Sequence, residues 1–219
     1  MTTSFKFRVL VTAGPTQEFI DPVRYLTNLS SGQLGYGIAA ELKKIGARVI
    51  LISGPTSLKA PTGVRLHHIR TALQMARMVQ RYRNKIDAFI STAAVSDYRV
   101  GKIVKRKIKK NHSSLVIRLI PNPDILKDMG KWKKKRKKPL LVGFALETHR
   151  LMQYAKRKLK EKNLDLIIGN SPRSFGSKSI QPVWIEKGMR PQALSVIPKN
   201  TLAKKLGRWL VHKLGNTYE

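Results

Sequence analysis

The chain has 219 residues, 42% of them apolar, with no cysteine and 44 Lys/Arg against 12 Asp/Glu, a formal net charge of +32. That length can bury a real core, the missing cysteines exclude a disulfide scaffold and any thiol nucleophile, and no apolar run is long enough to span a membrane. The N-terminus shows no signal-peptide h-region, so the expectation is a soluble cytoplasmic protein with anionic partners: nucleic acid, phosphorylated metabolites or a membrane surface.

Strand-like apolar runs alternate with helix-period segments, the pattern of an α/β protein. Phe7–Thr12 reads as a buried first strand. Gln33–Ile45 carries Leu34, Ile38 and Leu42 four residues apart, which predicts an amphipathic helix ended by Gly46. Ala47–Ser53 is a second strand closed by Gly54-Pro55, Val64–Ile69 a weaker third, and Thr71–Arg83 a helix. Ala88–Ala94, Leu115–Ile120, Leu140–Ala145 and Leu164–Gly169 supply the later strands, before a hairpin around Val183–Ile197. Leu202, Leu206, Trp209 and Leu210 set an apolar stripe on a final helix. The expected architecture is one Rossmann-like, doubly wound domain over residues 1–219. Its sheet is mainly parallel, with helices on both faces and a C-terminal hairpin and helix.

Ligands of open parallel sheets bind beyond the carboxyl ends of the strands, and the unusual residues cluster there. Thr12-Ala13-Gly14-Pro15-Thr16 follows the first strand, and Gly14 lets backbone approach a phosphate. Ser30-Ser31-Gly32-Gln33-Leu34-Gly35 opens the next helix, where hydroxyls and first-turn amides can hold an anion; Ser30 serves equally as an N-cap. The insertion Gln17–Leu29 separates the two, so this is not a dinucleotide fingerprint. Thr92-Ala93-Ala94 leaves room for a ligand, and Asp97 beyond it is a ligand contact or a helix cap. Residues 102–110 hold six basic groups in nine positions and read as part of a basic flap at about 99–114, suited to clamping a polyphosphate. Residues 131–138 hold seven in eight and read as a solvated loop. Asn122-Pro123-Asp124-Ile125 is a ligand contact or an Asx/Pro helix start. Lys158 and Lys162, four apart on a helix, can turn both ammonium groups to one anion or to solvent.

Together, VTAGPTQEFIDPVRYLTNLSSGQLG (Val11–Gly35), STAAVSDYR (Ser91–Arg99), KIKK (Lys107–Lys110), NPDIL (Asn122–Leu126), VGFALET (Val142–Thr148) and the Lys158/Lys162 pair resemble the phosphopantothenate–cysteine ligase family of coenzyme A biosynthesis. KIKK and NPDI resemble its bacterial, CTP-using branch more than the ATP-using one. The resemblance implies two half-reactions. The carboxylate of 4′-phosphopantothenate attacks the α-phosphate of CTP, giving an acyl-cytidylate and pyrophosphate, and the amine of L-cysteine then displaces CMP. Mg2+ on the triphosphate would share the charge management, and no side chain is singled out as a metal ligand.

The resemblance also implies roles. Lys107 would neutralise charge growing on the α-phosphate, and Asn28 would hold the carbonyl of phosphopantothenate or the acyl-cytidylate. Gly14, Ser30, Gly32 and Gly35 would face the triphosphate, while Ala93 and Ala94 would line the pantothenate arm. Asp97, Asn122, Pro123, Asp124, Ile125, Lys158 and Lys162 would enclose the nucleotide, with Phe144 beside its base. Family members dimerise and complete the active site across the interface, which implies a homodimer. Two departures stand out: Asn170-Ser171 and Phe175-Gly176-Ser177-Lys178-Ser179 lack acidic groups usual there, and Leu146 replaces a small residue. A fused flavin-dependent decarboxylase domain, common in bacterial relatives, does not fit in this length.

Two other classes compete. A nucleic-acid-binding protein would suit the charge, but no helix-turn-helix, zinc-finger or RNP pattern is present, which leaves incidental adhesion. A Rossmann-like oxidoreductase lacks its compact G-x-G-x-x-G and an acidic residue after the second strand.

Overall fold

The computed structural model describes residues 7–110, 114–134, 136, 138–172 and 176–215. Phe175, residues 111–113 of the expected flap, and Lys135 and Lys137 of the second basic run lie outside the described residues.

Strand β1 (Arg8–Ala13) leads into the hairpin β2 (Gln17–Asp21) and β3 (Arg24–Thr27), then α1 (Gln33–Lys44), β4 (Arg48–Ser53), β5 (Arg65–His68) and α2 (Ala72–Tyr82). The chain continues through β6 (Ala88–Ser91), β7 (Tyr98–Val100), β8 (Leu119–Pro121), α3 (Ile125–Lys133), β9 (Leu140–Leu146), α4 (Leu151–Glu161) and β10 (Leu166–Asn170). Short strands β11 (Ser179–Ile180), β12 (Val183–Glu186), β13 (Gln192–Ala193) and β14 (Ile197–Pro198) precede α5 (Lys199–Gly215).

The central eight-stranded sheet has the order β13-β12-β10-β9-β6-β1-β4-β5. From β10 across to β5 its strands run parallel, while β12 and β13 are antiparallel. The chain winds outward from β1 through β4 to β5 and then returns to β6, so strand order reverses between β1 and β6. Alternation along β1 explains why this sheet is covered twice. Val9, Val11 and Ala13 point into a core shared with α1 and α5, whereas Leu10 joins Met75, Ile125 and Ala155 beneath α2, α3 and α4. The doubly wound, Rossmann-like expectation holds.

Three expectations change, and the insertion before α1 takes a definite form. Gln17–Leu29 forms a hairpin, turned by Asp21, whose Oδ1 accepts the N–H groups of Val23 and Arg24 at 2.9 Å each. Leu115–Ile120 is not a sheet strand. Only its end joins β8, which pairs with β7 outside the central sheet, and Leu115 and Val116 stay exposed because no helix layer covers that ribbon. The hairpin β12–β13 forms as expected, but Ile197 at its far end pairs with β11 instead. The run at 131–138 is not a solvated loop throughout: Lys131–Lys133 end α3, and Lys133 is buried against Asp165. Lys138 Nζ sits 3.1 Å from Asp87 Oδ1. Burial next to a carboxylate makes these cations structural.

Candidate active site

A cleft of about 680 Å3 opens beyond the carboxyl ends of β6, β9 and β10, against the first turn of α1 and beside the switch point. The sequence puts small residues where backbone must close in. A Cβ on Gly35 would stand 2.4 Å from Thr92 Oγ1 and 2.6 Å from the Ala13 Cβ, so only glycine lets α1 start this near the strand ends. Gly32 has φ +75 and is the N-cap of α1, without a side-chain cap. Ser30 is therefore not the cap; its Oγ accepts from the Gly32 N–H at 3.3 Å. The Gln33 N–H donates to Ser31 Oγ at 3.4 Å, and among the described residues the N–H groups of Leu34 and Gly35 have no acceptor. Open amides at a helix start favour an anion.

Asn28, Ser30, Gly32, Gly35, Ala93, Ala94 and Phe144 all line this cleft. The Asn28 side chain is fixed by donation from Nδ2 to the Val95 carbonyl at 3.2 Å, which ties the loop after β3 to the end of β6. Gly14, at φ +71, packs behind the lining: its carbonyl accepts from the Ala94 N–H at 2.9 Å, and a Cβ there would lie 3.0 Å from Gly54 O.

The remaining expected residues stand outside the lining. Lys107 is exposed on a segment hooked to the β2–β3 hairpin: the Ile108 N–H donates to Asp21 Oδ2 at 3.1 Å, and the Arg24 guanidinium donates to the Ile108 carbonyl at 3.2 Å. Burial pushes the Asp21 carboxyl up. The N–H groups of Val23 and Ile108, the Arg24 charge and the Arg24 N–H outweigh that, so its pKa lies below the ordinary carboxylate value. Asp97 is exposed, and its carbonyl takes the Asn122 N–H at 2.8 Å, while Asn122 Nδ2 donates to the Ser96 carbonyl at 2.9 Å. Asp124 is the N-cap of α3, accepting from the Lys127 N–H at 2.9 Å, and follows Pro123; Ile125 is core. This stretch is thus a helix start. Lys158 and Lys162 do not share an anion: Lys158 Nζ meets Glu147 Oε1 at 2.6 Å, and Lys162, just past α4, meets Asp124 Oδ2 at 2.8 Å.

One charged cleft residue escaped the sequence reading. Lys199, the first residue of α5, is the one charged side chain among the described residues that line the cleft, and burial pulls its pKa below the ordinary lysine value. Asn170 and Leu146 join it at that end of the cleft. No periodicity marks Lys199, because its place depends on β14 and α5 folding back over the sheet.

Among the described residues no group of His, Asp or Glu could hold a metal ion, and no helix is long and apolar enough to cross a membrane.

Residues 5–214 match the model of the DNA/pantothenate metabolism flavoprotein C-terminal domain. The chain is 40% identical over 201 residues to the coenzyme A biosynthesis bifunctional protein CoaBC of Borreliella burgdorferi, covering 91% of this chain and 51% of that protein. It is 48% identical over 164 residues to the protein of the same name from Haemophilus influenzae, covering 74% and 40%. The chain thus spans about half the length of the curated relatives it matches. A crystal structure of the C-terminal domain of a CoaBC protein superposes with a TM-score of 0.82 at 36% identity, covering 96% of each chain. A Cab2 mutant in complex with phosphopantothenate-cysteine shares the fold, with a TM-score of 0.78 at 17% identity over 97% of this chain and 89% of that one. Family model, relatives and superposition agree over nearly the whole length, and the chain belongs to the DNA/pantothenate metabolism flavoprotein C-terminal domain family.

Proposed function

We propose that the chain is a phosphopantothenate–cysteine ligase, a single catalytic domain over residues 1–219 working in the cytoplasm on 4′-phosphopantothenate, L-cysteine and MgCTP. The observation that carries this reading is the cleft beside the switch point, where Asn28, Ala93 and Ala94 meet the open amides of α1 and no carboxylate is found among the described lining residues. Two anions must approach one another in such a reaction, and a lining of neutral donors and one cation lowers their repulsion.

The triphosphate lies along Ser30, Gly32 and Gly35, with Gly14 packed behind them to keep the backbone close, drawn by backbone N–H groups and the α1 dipole. Among the described residues the cleft lining offers no carboxylate to hold Mg2+, which would come bound to the nucleotide and would neutralise part of the phosphate charge. Phe144 flanks the base, while Asp97, Asn122, Pro123, Asp124 and Ile125 build the wall behind it. Lys158 and Lys162 act from the rim, each through a carboxylate-paired ammonium. The substrate carboxylate attacks the α-phosphate and pyrophosphate leaves. Lys107 balances the charge that grows there, in its own cleft or in a partner's. Asn28 donates to the acyl carbonyl while the cysteine amine displaces CMP and loses its proton to solvent.

A homodimer supports this arrangement. Val23, Tyr25 and Leu26 of the β2–β3 hairpin and Tyr98 and Leu119 of the β7–β8 ribbon expose apolar side chains that a second copy would cover. Light scattering on the purified chain reads this directly. The activity test is pyrophosphate release with MgCTP, 4′-phosphopantothenate and cysteine. Release is expected to stop without phosphopantothenate and to fall when ATP replaces CTP. Silence in the complete mixture would remove the ligase reading, and equal rates with both nucleotides would remove the CTP preference.

A further inference from the structure

Beyond the carboxyl ends of β4 and β5, at the outer edge of the sheet, lies a second depression of about 710 Å3 that shares no lining residue with the cleft. His67, His68 and Arg70 enter it from the end of β5, and Gln74, Arg77 and Met78 from the outer side of α2, with Pro55 closing one side. No carboxylate lines it, and neither arginine forms an ion pair among the described residues.

Its positive character does not come from the start of α2. There the Ala72 N–H already donates to the buried Glu18 Oε1 at 2.9 Å, and the Gln74 N–H to Thr71 Oγ1 at 3.2 Å. The side chains carry it. Gln74 Oε1 accepts the N–H groups of Arg70 and Thr71 at 2.7 and 3.1 Å, which leaves its Nε2 as the end that can donate outward. His67 Nε2 is held by the Tyr82 hydroxyl at 2.8 Å. Burial first, and then the charges of Arg65 and Arg81, hold the His67 ring below the ordinary imidazole value. Met78, Pro55 and Ile69 add apolar wall to the same groove.

The geometry points to this groove as a binding site for a small organic phosphate, with Arg70 and Arg77 gripping the phosphate, Gln74 donating to it, and Met78 and Pro55 receiving the apolar part. Guanidinium forks match phosphate oxygens in pairs, which ammonium groups do not. A concavity of this size fits one small ligand, whereas a nucleic acid polymer needs an extended patch. The inference stands apart from the ligase reading, because none of these residues belongs to the cleft.

ADP and inorganic pyrophosphate serve as probes, with the histidine rings isotopically labelled and read by NMR. The expected result is a saturable shift of the His67 and His68 resonances, with His149 and His212 unmoved, and tighter binding of ADP than of pyrophosphate. Arg70→Gln with Arg77→Gln is expected to weaken ADP binding at His67 by about tenfold or more, the loss of two charged hydrogen-bond donors. Lys127→Gln with Lys131→Gln removes the same two charges from exposed positions on α3 and should leave binding unchanged. Unmoved His67 and His68 signals, equal affinity for the two probes, or equal weakening by the two double variants would each overturn the site. Pyrophosphate release by the wild type, measured separately, reports on the ligase reading alone.

Discussion

Lys162 Nζ lies 2.8 Å from Asp124 Oδ2, so the residue that caps the C-terminus of α4 is tied to the N-cap of α3. Spacing alone lets Lys158 and Lys162 converge on one ligand. The structure gives each its own carboxylate, and the two helix ends are linked instead. The Asp124 side chain is 41% exposed, which holds the ion pair itself to a few tenths of a kcal/mol, roughly the value of surface pairs. Asp124→Ala is expected to cost about 1 kcal/mol, mainly through the lost cap, while Asp124→Asn keeps most of it. Chemical denaturation of the pair of variants checks this; equal losses would show that the ion pair, not the cap, dominates.

The close approach of α1 to the strand ends depends on Gly35. Gly35→Ala forces a methyl group against Thr92 Oγ1, which is already committed to the Thr12 carbonyl at 2.6 Å, and against Ala13. The expected cost is about 1–3 kcal/mol, with MgCTP affinity falling further than stability as the open amides are pushed off. Thermal melts and nucleotide titration should separate the two; an unchanged melt would mean that α1 shifts freely.

Adjacent lysines at the end of α3 should behave differently. Lys133 is 7% exposed and pairs with Asp165, whose Oδ2 also accepts the Leu141 N–H at 2.6 Å, whereas Lys134 is exposed. Lys133→Ala strands a largely buried carboxylate and is expected to destabilise by roughly 3 kcal/mol; Lys134→Ala should stay within about 0.5 kcal/mol. Similar denaturation midpoints for both would be inconsistent with the buried pair.

Asp21 joins the β2–β3 hairpin to the Lys107 segment through Arg24 and the Ile108 N–H. Its folded pKa is depressed, so the clasp is fully formed above the unfolded value of 3.8 and is lost as pH falls below that value through the lower folded one. Trypsin cleavage at Arg106 and Lys107 at neutral pH is the readout for Asp21→Asn, which removes the charge. Faster cleavage than in the wild type is expected, and identical rates would show that the segment is held by something else.

Under the ligase proposal the half-reactions respond to different residues. Lys107→Gln should lower pyrophosphate release by about 100-fold or more, the scale for losing one donor to a developing charge. Asn28→Asp should retain part of that release while product formation collapses. Equal defects in both steps for both variants would refute the division of labour.

How much of this was legible from residues differs by element. The runs at β1, β4, β9 and β10 are continuous and apolar because both sheet faces are covered, so strand type and doubly wound topology follow from local pattern. Small residues at strand ends and at the start of α1, with Ala93, Ala94 and Gly35 among them, marked the cleft from local pattern, whereas Asn28 entered only through the family resemblance. The hairpin β2–β3 and the β7–β8 ribbon were not legible, since their strands are short, largely exposed except for β2, and defined by partners rather than by period. The solvated reading of Lys133 failed because its burial depends on Asp165, 32 positions away.

Local chemistry therefore determined the fold class, the strand ends that matter and the glycines that let backbone close in. Tertiary structure alone decided which cations face the cleft. Lys199 enters it from the last helix, Lys158 and Lys162 turn to carboxylates, and Lys107 hangs on Asp21. A charge acquires its role from what lies within a few ångströms of it, and in a chain with 44 Lys/Arg only the folded path specifies those neighbours.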